Sequence, residues 1–163
     1  MFFFPFFLIL KFVNAHMKIS SPAFADKGTL DSVYTCDGED INPPLVFENV
    51  PEDTQSLVLL VEDPDAVGKT WLHWAVVNID PNTRHVNEDS IPGHGSEIVT
   101  DFGNSSYGGP CPASGIHRYN FKLFALDSTL DITEDAKLEE IYHAMEGAII
   151  EKAEITALYT REN

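Results

Sequence analysis

The chain has 163 residues, 44% of them hydrophobic and 22% charged, which suits one folded domain and excludes a disordered polypeptide. Acids outnumber bases 26 to 10, for a net charge of −16. Such a surface repels phosphate backbones and lacks the basic patch that peripheral proteins use on anionic membranes, so no nucleic-acid partner is expected.

The first sixteen residues differ in kind from the rest. Met1 to Leu10 reads MFFFPFFLIL, apolar and aromatic, and about half the length that a bilayer span needs. Val13-Asn14-Ala15 offers the small residues of a signal-peptidase site, yet no Lys or Arg precedes the apolar run. Three readings stay open: a wrongly assigned start with Met17 as the true first residue, an export signal, or an apolar anchor. Each leaves residues 17–163 as the folded domain.

Within that domain, Ser56 to Glu62 (SLVLLVE) is a short β-branched apolar run. Trp71 to Ile79 (WLHWAVVNI), Tyr119 to Leu126 (YNFKLFAL) and Ala153 to Thr160 (AEITALYT) read alike. Turn-forming Pro, Gly, Asp or Asn residues bound each, as they bound strands. Leu138, Ile141, Tyr142 and Met145 instead fall at helical spacing and make one apolar stripe. A capping box of Asp131 and Glu134 is expected at the helix start, and Gly147 at its stop. The pattern predicts a mainly β sandwich with long loops and a C-terminal helix packed on it.

Three loops carry the polar residues. The first is Cys36-Asp37-Gly38-Glu39-Asp40-Ile41-Asn42-Pro43-Pro44. The second, Glu62-Asp63-Pro64-Asp65-Ala66, leads into Trp71-Leu72-His73-Trp74. Pro64 stiffens a turn that can aim Asp63 and Asp65 at one point, or can let Asp63 cap its own backbone in an Asx-turn. Strict alternation would put Trp71 and His73 on one face and Leu72 and Trp74 on the other. The third loop runs from Tyr107 through Gly108-Gly109-Pro110-Cys111-Pro112 to His117-Arg118-Tyr119. Its glycines let a ligand approach the backbone, and free N–H groups there can nest an anion. His117 is expected to face a pocket and Arg118 to make a structural ion pair with a carboxylate.

Taken together, CDGEDINPPL, DPDA followed by WLHW, and YGGPCPASGIHRY resemble the phosphatidylethanolamine-binding protein family, also called Raf-kinase-inhibitor-like. The likeness covers nearly all of residues 17–163, and the compact YGGPCP loop is similar to the bacterial and archaeal branch. The resemblance implies a Greek-key β-sandwich with one or two peripheral C-terminal helices and a small anion pocket at one end. By matching positions, Asp63, Pro64 and Asp65 would form one wall, His73 another, and Gly109, Pro110, His117 and Tyr119 the remainder. The sequence departs from the family pattern at Val67 and Ala113, where proline is usual. It departs also at Asn42, Phe47 and Ala148, where serine, tryptophan and histidine are common.

The expected function is therefore a non-enzymatic binding protein. Its partner would be a phosphorylated small molecule or lipid head group, with no cofactor and no metal. The resemblance also implies a protease or kinase as protein partner, through surface around the pocket mouth, with an interaction module independent of the pocket as the alternative. A Cys–His hydrolase built on Cys111 and His117 is the enzymatic alternative. A zinc site of His73, His117 and an Asp lacks any H-x-x-x-H or C-x-x-C spacing. Cys36 and Cys111 are expected as free thiols in a cytoplasmic protein, or as a pair if the protein is exported.

Overall fold

The structure is a computed structural model that describes residues 15–161, so the readings attached to residues 1–14 lie outside it. In chain order the described elements are β1 (Lys18–Ser20), β2 (Gly28–Thr29), β3 (Leu45–Glu48), β4 (Ser56–Asp63), β5 (Trp71–Ile79), β6 (His85–Val86), β7 (Ser96–Glu97), β8 (His117–Leu126), α1 (Leu138–Met145) and β9 (Ile149–Tyr159). They form a six-stranded sheet, β2-β9-β8-β4-β5-β7, and a three-stranded one, β1-β3-β6. Only β2 pairs in parallel, with β9. The chain leaves β5, skips past it and rejoins β4 through β8, in the manner of a Greek key.

The large sheet is covered on both faces. Leu57, Leu59, Val61, Trp74, Val76, Tyr119, Phe121 and Leu123 pack inward against Ile19, Leu45, Phe47 and Val86 of the small sheet. Val58, Leu60, Leu72, Ala75, Val77 and Phe124 face the other way, onto Ile141 and Met145 of α1. All of β4 is therefore buried, which is why SLVLLVE is a continuous apolar run without alternation.

The single described α-helix carries the expected stripe, but its cap does not sit at Asp131. The helix begins at Leu138, and the Glu140 carboxylate accepts the Lys137 backbone N–H at 2.7 Å. Ala136 and Leu130 are spent on the core ahead of it, which holds residues 131–136 out of helical geometry. Gly147 follows with φ 77°, the left-handed conformation expected after a helix end.

Strand β5 breaks its own alternation. Val61 pairs with Trp74 and Glu62 with Leu72, so His73 is an extra residue in a β-bulge. The bulge sends Leu72 to the α1 face and Trp74 to the inter-sheet core, correcting the expectation that both share a face. It also turns His73 toward the sheet end, where Trp71 lies beside it.

Candidate functional site

A cavity of about 340 Å³ opens where β4 ends and β8 begins. Its floor is made of side chains from three neighbouring strands: Asp63 from β4, His73 from β5, and His117 and Tyr119 from β8. Asp63, His73 and Tyr119 are buried, with Tyr119 only 1% exposed. Trp71, Phe102, Ala66, Val67 and the segment Cys111-Pro112-Ala113-Ser114 wall it. Phe102 stands edge-on to both Trp71 and His73, at ring-centre distances of 5.7 and 5.2 Å. Val67, 97% exposed, lies at the mouth.

Hydrogen bonds fix the polar floor. Asp63 accepts the Asp65 backbone N–H on Oδ1 at 2.8 Å and meets His117 Nδ1 with Oδ2 at 2.7 Å. It is thus both the Asx-turn cap of its loop and the orienting partner of His117. A carbonyl can only accept, so His73 Nδ1 must donate to the Gly108 oxygen, 2.6 Å away. The His73 tautomer is then fixed, and Nε2 carries a lone pair. Burial holds the ring below the ordinary histidine value, against the Gly108 bond and the charges of Asp63, Asp40 and Asp101. The ring therefore stays neutral where an exposed histidine would begin to charge. Tyr119 sits edge-on to His73 at 5.1 Å, and its buried hydroxyl has no hydrogen-bond partner. Burial, followed by the charges of Asp63 and Asp65, raises that phenol well above the ordinary tyrosine value, so the hydroxyl keeps its proton.

Of the eight residues the sequence singled out, Asp63, His73, His117 and Tyr119 meet at the cavity. Pro64, Asp65, Gly109 and Pro110 are not on its lining. Asp65 turns to Arg118, accepting its guanidinium through both oxygens at 3.0 and 2.8 Å and its backbone N–H at 2.9 Å. This is the structural ion pair expected of Arg118, and the bond to it holds Asp65 down at about 2. The Gly109 N–H donates to Asp40 at 2.7 Å and the Gly108 N–H to the His73 carbonyl at 3.0 Å. Neither amide is free to nest an anion. A side chain on Gly109 would meet the Tyr34 oxygen at 2.4 Å, so glycine is needed there for loop-on-loop packing. Pro110 accepts the Cys36 N–H at 3.1 Å for the same contact.

The cysteines also depart from expectation. Cys36 and Cys111 form a disulfide with Cα atoms 5.5 Å apart, joining the first loop to the third. Tyr107 supports the join by donating to the Tyr34 carbonyl at 2.8 Å. Bonded to Cys36, Cys111 has no thiolate to offer as a nucleophile. The sequence reading missed Phe102 and Val67 as cavity residues. The available signal was a lone aromatic, and a lone valine, set in otherwise polar loops. A second cavity, of about 360 Å³, lies beyond Tyr107 and Trp74. Of its three carboxylates, Asp40 and Glu97 are occupied by the Gly109 N–H and the Trp74 indole N–H.

The comparisons with known proteins agree with this fold. Residues 20–160 match the model of the phosphatidylethanolamine-binding protein family. A UPF0098 protein of Methanothermobacter thermautotrophicus is 42% identical over 150 residues, covering 89% of this chain and 99% of the relative. One from Aquifex aeolicus is 40% identical over 156 residues, covering 91% of each. The crystal structure of a PEBP homologue, CT736, from Chlamydia trachomatis superposes with a TM-score of 0.86 at 35% identity, covering 90% of this chain and 99% of that one. Escherichia coli YbcL, described as a member of the mammalian PEBP family, gives 0.84 at 29% identity over 91% of this chain and 100% of its own. The fold, the motifs and these matches agree: the chain belongs to the phosphatidylethanolamine-binding protein family.

Proposed function

We infer that the protein is a binding protein whose cavity takes the anionic head of a small phosphorylated ligand, such as a phospholipid head group. The observation that carries this reading is the Tyr119 hydroxyl, buried without a partner beside two histidines that line the same cavity. A buried hydroxyl left unpaired costs about 1–3 kcal/mol, and a ligand oxygen accepting from it recovers that cost. His73 and His117 are already oriented by Gly108 and Asp63, so little order remains to be imposed on binding. The apolar walls at Val67, Phe102 and Trp71 suit the uncharged part of such a ligand.

An NMR titration with phosphorylethanolamine tests the reading. Resonances of His73, His117 and Tyr119 should shift together, and His73→Ala should abolish the response. A titration that moves only residues outside the cavity would overturn it.

The compartment follows from a different feature. No described helix is long and apolar enough to cross a membrane. The Cys36–Cys111 bond favours an oxidising compartment, and so the exported alternative, over a reducing cytosol. A free-thiol count on protein from its native source should give none, and two thiols would return the protein to the cytosol. Modulation of a protease or kinase is the reading that uses the exposed apolar residues Val67, on the cavity lining, and Ile116, next to His117 in the chain. It predicts that inhibition is lost in Val67→Ser and kept in His117→Ala.

A further inference from the structure

The loop between β7 and β8 carries a sequence that the cavity does not use. Phe102-Gly103-Asn104-Ser105-Ser106 contains Asn-x-Ser, the acceptor pattern for N-linked glycosylation. Asn104 is the only asparagine of the chain followed two residues on by Ser or Thr. So short a pattern also arises by chance, and it counts only where the fold presents it in a suitable compartment.

Both conditions are met. Thr100 donates its backbone N–H and its hydroxyl to the Asn104 carbonyl at 2.9 and 3.1 Å, and the Gly103 N–H returns to the Thr100 carbonyl at 2.9 Å. Gly103 takes φ 86°, the left-handed conformation that glycine allows at such a turn. The backbone of Asn104 is thus held while the residue itself is exposed. The Ser106 hydroxyl donates to Asn104 Oδ1 at 3.2 Å, which puts both side chains of the pattern on one side of the turn. Asn104 lines neither of the two larger cavities, so a group attached to it would displace nothing from them. The Cys36–Cys111 bond supplies the compartment, because disulfides persist where exported proteins are processed.

We propose that Asn104 is an N-glycosylation site whose first sugar lies beside Phe102 at the rim of the cavity. The proposal rests on the exported reading above and is independent of what the pocket binds. The co-substrate is an oligosaccharide carried on a polyprenyl phosphate. Asn104 Nδ2 bonds to the anomeric carbon of the first sugar as the bond from that carbon to the carrier's phosphate oxygen breaks. The carrier leaves as its phosphate anion, and the amide gives up one proton to a base of the transferase. Phe102 precedes Asn104 by two residues, is 44% exposed and lines the cavity. Covering that ring with a sugar removes apolar surface from a rim that also exposes Val67.

The test is peptide mass spectrometry on protein from its native source, with a free-thiol count on the same sample. The peptide containing Asn104 should carry the added mass of a glycan and release sugar fragment ions. Ser106→Ala, produced in the same cells, should lose the glycan although Asn104 remains. Ser106→Thr should keep it, because the hydroxyl survives, and so should Ser105→Ala. A bare Asn104 in protein whose disulfide is intact overturns the proposal and leaves the exported reading standing. A modification that survives Ser106→Ala also overturns it, since that chemistry does not read the pattern. A bare Asn104 together with two free thiols means that the exported reading has failed and takes the proposal with it.

Discussion

Glu62 and Asp63 are neighbours at the end of one strand, and each gathers a base and a tyrosine. Glu62 faces α1, where it accepts from Lys122 at 2.8 Å and from Tyr142 at 2.5 Å, and Lys122 donates to Tyr142 at 3.2 Å. That triangle is closed, and every partner is used. Its effect is visible in Tyr142, whose phenol is pushed up to about 12 by burial and then by the Glu62 bond. Asp63 faces the sheet end, where it holds His117 but leaves the Tyr119 hydroxyl alone. The same three kinds of side chain build scaffold in one place and a candidate site in the other. What separates them is whether the last hydrogen bond is made inside the protein or left for something else.

Four experiments break or sharpen this contrast. The largest effect should come from reducing Cys36–Cys111, which closes a loop over a separation of 75 residues on the cavity side alone. Chain entropy puts its contribution at about 4 kcal/mol, read as a lower urea midpoint in reductant. An unmoved midpoint would mean that the Tyr107 and Gly109 hydrogen bonds hold the loops by themselves. Next, Glu62→Leu should cost about 3 kcal/mol, because it strands Lys122, whose side chain is only 19% exposed, without its carboxylate. Adding Lys122→Leu should recover most of the loss, and a double variant no better than the single would deny the closed triangle.

The tyrosines should then respond with opposite signs. Tyr142→Phe should lower stability by about 1 kcal/mol, having deleted a made hydrogen bond. Tyr119→Phe should leave stability unchanged or raise it, while weakening phenyl phosphate binding about tenfold. Equal losses of stability in the two would show that Tyr119 is already satisfied in solution.

The smallest effect concerns pH. The folded-state value of His73 is depressed by burial, so its neutral form contributes stability that is complete above about pH 6.5 and declines as pH falls below it. Asp65, held at about 2, keeps its charge throughout that decline and does not cause it. His73→Asn should flatten the stability curve between pH 6.5 and 5, and an unchanged slope would assign the decline to another group.

Much of this was legible in the residues. The bounds of β5 follow from WLHWAVVNI because aromatic and β-branched residues there are bracketed by turn formers. The stripe of Leu138, Ile141, Tyr142 and Met145 located α1 for an equally local reason. Short strands such as β2, β6 and β7 were not legible, since two residues carry no period. The bulge at His73 was invisible because it is defined by register against β4, a relation between distant segments. The same holds for the site. His117 and Tyr119 could be placed from their alternation on β8. The diversion of Asp65 to Arg118, of Gly109 to Asp40 and of Cys111 to Cys36 depends on partners 53, 69 and 75 residues away. Phe102 was missed because its importance lies in two rings from another strand.

The polar floor hangs on β4, β5 and β8, whose mutual spacing is set by backbone pairing, whereas the walls belong to segments that begin where those strands stop. Residues 66–70 and 112–116, which give Ala66, Val67 and Pro112-Ala113-Ser114 to the wall, share no hydrogen bond with Asp63, His73 or His117 and could change length or composition without disturbing the distance between Asp63 and His117. Chemistry and recognition are thus carried by separable parts of the chain. Grafting a different wall onto this floor should retune which molecule enters while leaving untouched the group that is held, so the domain lends itself to making families of small-molecule receptors from one frame.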